Sequence, residues 1–112
     1  TTVTRMPVGL LRADPDTRML LYNAIAEAAA VGRARGVALP EDAVERQMAV
    51  LDGWPPEMVA SMLHDLNAGK RMELDHLSGA VARLGRQCGV PTPAHDTLYA
   101  ALKPYKDGRP ER

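Results

Sequence analysis

Proline and glycine cut this chain into helix-length pieces, and that punctuation limits its fold more than any other feature of the sequence. The breaks fall at Asp14-Pro15, Gly36, Pro40, Pro55-Pro56, Gly69, Gly89 and the Pro91/Pro93 pair. Between them apolar residues recur at helical spacing, and no run alternates with period two for long enough to make a strand. Hydrophobic residues make up 46% of the chain, yet Phe is absent and the aromatics are Tyr22, Trp54, Tyr99 and Tyr105. The core must therefore be aliphatic, built from Ala, Leu, Val and Met, and Ala and Leu are strong helix formers. At 112 residues the chain is a single domain that can bury a core without staples. The expected fold is all-α, a compact bundle of about five to six helices.

In chain order, Val8, Leu10 and Leu11 predict one buried helical turn after Pro7. Asp14-Pro15-Asp16-Thr17 is a helix start, with Asp14 as N-cap and Pro15 in the first helical position. The helix it opens should run to about Arg35, with Leu21, Ile25, Ala28, Ala29 and Val31 inward and Gly36 just past its end. Pro40-Glu41-Asp42 opens a second helix with Val44, Met48 and Leu51 as its stripe, and the Asp52–Pro56 stretch breaks it. A third should span Pro56 to Ala68, facing inward through Met58, Met62, Leu63 and Leu66. A fourth begins near Glu73 and ends at Gly89, with Leu74, Leu77, Val81, Leu84 and Cys88 as its seam. Gly79 inside it marks a close helix contact, since glycine there otherwise costs about 1 kcal/mol against Ala. Thr92 as N-cap and Pro93 open a fifth helix that reaches Tyr105, with Leu98, Leu102 and Tyr99 inward. Lys106 to Arg112 reads as a frayed polar tail.

Several function classes fall away. Net charge is zero, so there is no clustered positive field for nucleic acid or an anionic membrane, and no basic recognition helix. No apolar run approaches the roughly 18–20 residues of a membrane helix, and no basic-then-apolar leader is visible. Thr1 in place of methionine raises the expectation of further sequence upstream. Cys88 stands alone, which points to a reducing compartment, the cytoplasm; on its seam it reads as a small buried hydrophobe. Gly32-Arg33-Ala34-Arg35-Gly36 follows no strand and is no dinucleotide fingerprint. The spacings among His64, Asp65, Glu73, Asp75 and His76 match no ligand pair, so no metal is expected.

What remains is the stretch from Ser61 to Asp75, a Gly-Lys-Arg corner between two apolar helices crowded with polar side chains. Glu73 stands at a helix N-terminus, where a carboxylate is electrostatically favoured; read from spacing alone it is a cap or dipole partner. Ser61 reads as an exposed serine within a helix.

The order of these motifs resembles a known family. Leu11-Arg12-Ala13-Asp14-Pro15 precedes a long helix. Ser61-Met62-Leu63-His64-Asp65 leads to Gly69-Lys70, then Glu73-Leu74-Asp75, then Ser78-Gly79-Ala80-Val81. Gly89-Val90-Pro91-Thr92-Pro93 precedes Thr97-Leu98-Tyr99. The pattern is similar to the C-terminal helical domain of the ketopantoate reductases (2-dehydropantoate 2-reductases), S-M-x-x-D, G-[KR]-x-x-E-[IL]-D, N-G and G-[VI]-x-[TV]-P, over almost the whole chain.

The resemblance implies a bundle like the C-terminal domain of 6-phosphogluconate dehydrogenase, with residues 1–112 as the closure domain of a two-domain enzyme. NADP would be bound mainly by an N-terminal Rossmann domain outside this chain, and ketopantoate or a related 2-keto acid would lie between the two. It implies that Glu73 is catalytic and orients the substrate hydroxyl, and that Ser61 contacts the substrate carboxylate. The family's catalytic lysine and two asparagines would lie upstream of Thr1, so these residues alone should be inactive. Met58, Ser78 and His95 stand where the family often has asparagine, which leaves the exact 2-keto acid open. A homodimer is expected as one form of assembly. The alternative reading is a non-catalytic helical module for self-association or protein binding, whose uncovered apolar face would drive contact.

Overall fold

The longest helix is the axis of the molecule, and its start shows how the sequence builds it. The computed structural model describes residues 1–108. Among them are α1 (Val8–Ala13), α2 (Pro15–Ala34), α3 (Ala43–Asp52), α4 (Ser61–Asn67), α5 (Ser78–Cys88) and α6 (Pro93–Leu102), with 3-10 turns at Leu74–His76 and Lys103–Tyr105 and no strand. The all-α expectation holds. Asp14 Oδ1 accepts the N–H groups of Asp16 at 2.9 Å and Thr17 at 3.2 Å, so the cap forms as the sequence signals. Α2 packs against α1, α3, α5 and α6, while α5 and α6 pack on each other. The body measures 44 × 33 × 20 Å. A helix with its side chains is about 10–12 Å across, so the short axis holds two helix layers. Few large side chains can be wholly enclosed in such a slab, and Leu74 is the largest that is.

The second helix keeps its expected stripe, with Val44, Met48 and Leu51 all buried. Α1 buries Val8 and Leu11 but leaves Leu10 59% exposed, because one helical turn offers a single side to its neighbours. On α2, Ala29 and Val31 are buried, Leu21 and Ile25 are half-buried, and Ala28 is exposed.

The third helix departs from expectation. It starts at Ser61, not Pro56. The preceding stretch serves α1 instead: Met58 C=O accepts the Val8 N–H at 2.8 Å and Pro56 C=O accepts the Gly9 N–H at 2.9 Å. These are two of the first-turn amides a helix leaves unpaired. Gly9 is required for this approach, since a Cβ there would lie 2.6 Å from Pro56 Cβ. Met58, expected inside, is exposed.

The fourth helix also begins late, at Ser78, because Leu77 (φ −108°, ψ −103°) leaves helical geometry after the 3-10 turn. Its expected seam is not its buried face. Leu77 is 52% exposed, Val81, Leu84 and Cys88 are half-buried, and the buried residues are Gly79, Ala82 and Gly85. The reason is how closely α6 approaches. A Cβ on Gly79 would sit 2.7 Å from the Tyr99 ring, and one on Gly85 would sit 2.7 Å from the Thr92 methyl. Only the small-residue face can enter that contact.

The fifth helix has Thr92 at N-cap and Pro93 at the first position as expected, but Thr92 makes no capping bond. Glu27 of α2 does that work. Its carboxylate accepts the Ala94 N–H at 2.7 Å and the His95 N–H at 2.9 Å, charge at the end where the helix dipole favours it. Α6 ends at Leu102 and the 3-10 turn carries the chain to Tyr105. The expected frayed tail is ordered by contacts as far as Gly108: Lys106 C=O accepts the Met72 N–H at 2.8 Å, and Arg71 and Asp107 form an isolated antiparallel bridge. The rest of that tail, 109–112, lies outside the described residues.

Two substitutions test these contacts in urea denaturation. Gly79→Ala should lower stability by about 1–3 kcal/mol through overpacking against Tyr99. Glu27→Ala should lower it by about 1–2 kcal/mol through loss of the cap.

Candidate functional site

The Ser61–Asp75 corner is built by alternation against the core. Α4 ends in a tight turn in which Lys70 N–H reaches Asp65 C=O at 2.8 Å, and Gly69 takes the left-handed φ of 69° that this turn needs. The chain then runs across the core edge. Met72 and Leu74 point inward at 4% and 0% exposure, and Arg71 and Glu73 between and beside them point to solvent. Met72 and Leu74 cluster with Leu102, and Met62, Leu66 and Tyr99 pack against that cluster. One core group thus anchors both halves of the corner: Met62 follows Ser61 in sequence, and Met72 and Leu74 flank Glu73.

Ser61 is the first residue of α4 rather than a mid-helix serine. It is exposed, as is Glu73, which immediately precedes the 3-10 turn. Neither makes a side-chain hydrogen bond or ion pair within the described residues. The expected cap role for Glu73 is not realised, since no side-chain cap bond forms at that turn. A cavity of about 190 Å³ lies nearby, lined by Thr17, Leu20, Met62, Ser78 and Leu98 among others, and neither Ser61 nor Glu73 lines it.

Asp75 behaves differently. Its Oδ1 accepts the Tyr99 hydroxyl at 2.6 Å and its Oδ2 accepts from Lys106 Nζ at 3.2 Å. The Tyr99 hydroxyl, and then Lys106, hold the Asp75 carboxyl below its ordinary range. The same carboxylate raises the Tyr99 phenol and the Lys106 ammonium. A depressed carboxyl contributes stability that is present above its unfolded pKa of about 4 and lost as pH falls through the folded value. A raised phenol or ammonium contributes stability present below about 10 and lost as pH rises through the folded value. The contact is therefore intact across the whole neutral range. Side-chain exposures of 42% for Asp75 and 32% for Lys106 mean that solvent screens it, so it shapes the corner more than it stabilises the fold.

Met58, Ser78 and His95, the three positions where the resemblance leads to an expectation of asparagine, separate in space. Ser78 and His95 meet each other, with Ser78 Oγ 3.2 Å from His95 Nδ1, while His95 Nε2 lies 2.7 Å from Ala24 C=O. A carbonyl only accepts, so Nε2 carries the proton, and in the neutral ring Nδ1 accepts from the serine hydroxyl. Both side chains are used in joining α2, α5 and α6. Met58 remains exposed on the segment leading into Ser61. Glu27 went unnoticed in the sequence, although it is the lone acid between Asp16 and Glu41, an isolated charge on an alanine-rich helix. Among the described residues no three of His, Cys, Asp and Glu converge in a metal-binding group, and no helix is long and apolar enough to cross a membrane.

Comparison with known proteins identifies the family of the chain. The family described as "Ketopantoate reductase PanE/ApbA C terminal" matches residues 1–106. A 2-dehydropantoate 2-reductase of Mycobacterium tuberculosis is 34% identical over 93 residues, 83% of this chain and 32% of that protein. One from Mesorhizobium japonicum is 36% identical over 101 residues, 90% of this chain and 30% of that protein. A dimeric ketopantoate reductase from Staphylococcus aureus superimposes with a TM-score of 0.87 at 28% identity, covering 95% of this chain and 37% of that one. The chain spans about a third of the length of the curated relatives it matches. With the family model covering nearly all of it and the all-α fold shared, this chain belongs to the ketopantoate reductase family and corresponds to its C-terminal domain.

Proposed function

We propose that this chain is the substrate-facing, closing part of a 2-dehydropantoate 2-reductase, which reduces ketopantoate to pantoate with NADPH in pantothenate biosynthesis. The observation that carries the reading is Glu73: a carboxylate without a partner among the described residues, exposed, and set between two of the most buried side chains in the molecule. Covering this carboxylate when the two parts of the enzyme close would desolvate it, which is costly without a partner, and a substrate hydroxyl that donates to it would offset that cost. Ser61 presents a free hydroxyl from the same core anchor and would donate to the substrate carboxylate. These residues bind and orient.

The dinucleotide does not fit on the described residues alone. Gly32 and Gly36, the glycine pair beside the longest helix, lie at the carboxyl end of α2, where the negative end of the helix dipole repels a phosphate. Cofactor binding is assigned to the part of the enzyme outside this chain. Unpaired Cys88 suits a cytoplasmic setting. A second reading, a self-association module, has in its favour the groove between α2 and α5, where exposed Val37 and Leu77 lie beside Val81 and Leu84.

In the full-length protein, Glu73→Gln should lower kcat/KM for ketopantoate by about 100-fold or more, the scale of losing a polar group aimed at the reacting centre. Ser61→Ala should raise KM by about 10-fold or more, as expected for a hydrogen bond to a charged group, and NADPH affinity should be unchanged in both. Wild-type kinetics in both variants would remove the assignment and favour the self-association reading. The 112 residues by themselves should show no oxidation of NADPH with ketopantoate in an absorbance assay; turnover would overturn the division of labour.

A further inference from the structure

Glu73 has no secondary structure to hold it. Its backbone (φ −83°, ψ 39°) is neither helical nor extended, and its carbonyl takes only a long 3.3 Å bond from His76 N–H. Yet a carboxylate that orients a substrate must be fixed within about half an ångström. Something other than a helix or a ladder has to do this.

The candidates are the segments that cross the corner from the C-terminal side. On one side of Glu73, the Met72 N–H is tied to Lys106 C=O at 2.8 Å. On the other, Leu74 is wholly buried and Asp75 is held by Tyr99 and Lys106. Lys106 therefore grips both flanks, with its carbonyl before Glu73 and its ammonium after it. Tyr99 is itself immobilised. Its ring fills the space left by Gly79, and Lys103 Nζ lies 5.6 Å over its centroid. Further out, the Arg71–Asp107 pair at 3.6 Å continues the same seam. The groups facing Asp75 are thus Tyr99 from α6, Lys106 from the C-terminal segment and His76 from its own turn, with Arg83 of α5 near the Tyr99 hydroxyl. Contacts this exposed add little to stability. Their geometric effect is to clamp the residues on either side of one carboxylate.

We propose that Asp75, Tyr99 and Lys106 are positioning residues for Glu73, a clamp through which the C-terminal segment sets the geometry of the substrate site. The inference rests on the reading of Glu73 as a substrate-orienting group. Neither Asp75 nor Tyr99 touches substrate; both act through the backbone that carries Glu73. Misplacement of an orienting group by a fraction of an ångström to 1 Å is enough to cost about 10- to 100-fold in rate.

The test uses the full-length enzyme with Asp75→Asn and Tyr99→Phe, each alone and combined with Glu73→Gln. Singly, each should lower kcat/KM for ketopantoate by about 10-fold, with kcat carrying most of the loss and NADPH affinity unchanged. In the Glu73→Gln background neither should lower it further, because the group being positioned is already disabled. Amide exchange at Met72 should speed up by about 10-fold in both single variants under native conditions, reporting the loosened clamp. Full multiplication of the two losses in the double variants, or wild-type kcat/KM beside a lowered Tm, would make the clamp merely structural and overturn the proposal. Wild-type kinetics in Glu73→Gln itself would instead overturn the reading of the site, and this inference with it.

Discussion

The close approach of α5 to α6 is the constraint on which the rest of the corner depends. With no side chain on Gly79, the Tyr99 ring lies against the α5 backbone. From there its hydroxyl reaches Asp75 at 2.6 Å, and Asp75 in turn takes Lys106. A bulkier residue at position 79 would push the ring outward and break this chain of contacts at its first link. The buried faces of both helices follow from the same fact. Small residues line α5 where the helices meet, and its larger apolar residues are turned toward α2 and solvent. A packing requirement thus becomes a statement about where a carboxylate can be held.

Several helix ends in this molecule are satisfied by residues distant in sequence, while others close locally, as at the Asp14 cap and where Val90 N–H reaches Gly85 C=O. The first amides of α1 are taken by Met58 and Pro56 carbonyls. The Leu51 carbonyl in the last turn of α3 and the Trp54 carbonyl just past it accept from Arg12 at 3.0 and 2.8 Å, and α6 is capped by Glu27. Each such bond answers an obligatory backbone need while fixing one helix against another. In a slab two helices thick, where apolar burial is shallow, these polar ties set the angles and offsets that a deeper core would set by packing.

That explains which parts of the fold were readable in the sequence. Helix breaks, the Asp14 cap and the Val44, Met48 and Leu51 stripe depend on neighbours within a turn or two, and these appear as expected. The Pro56–Ala60 stretch looks helical by its stripe, but its carbonyls are needed by α1, a demand no local pattern carries. The Leu74-to-Cys88 spacing is a sound helical seam, but spacing does not say which face meets a neighbour; the glycines at 79 and 85 held that information. The corner was readable as an unusual density of polar groups. Its division into a clamped Asp75 and a free Glu73 was not, because the clamp arrives from Lys106, in a segment whose composition suggested only a frayed tail.

Met58, Ser78 and His95, the positions where the resemblance leads to an expectation of asparagine, are not equivalent. Ser78 and His95 act as one pair. The longer imidazole spans to Ala24 C=O, and the short serine completes the bond at its other nitrogen. Replacing one without the other would leave a polar atom in a helix junction without its partner, which costs more than the bond itself contributes. Their polarity is consumed inside the bundle, in joining three helices. Met58 differs in kind. Its backbone carbonyl is committed to α1, but its side chain is exposed on the segment that delivers Ser61. Of the three, it alone presents its side chain to solvent beside a proposed substrate contact. A thioether there offers no donor to a carboxylate or hydroxyl, and of the three it is the one whose side chain stays uncommitted to the bundle.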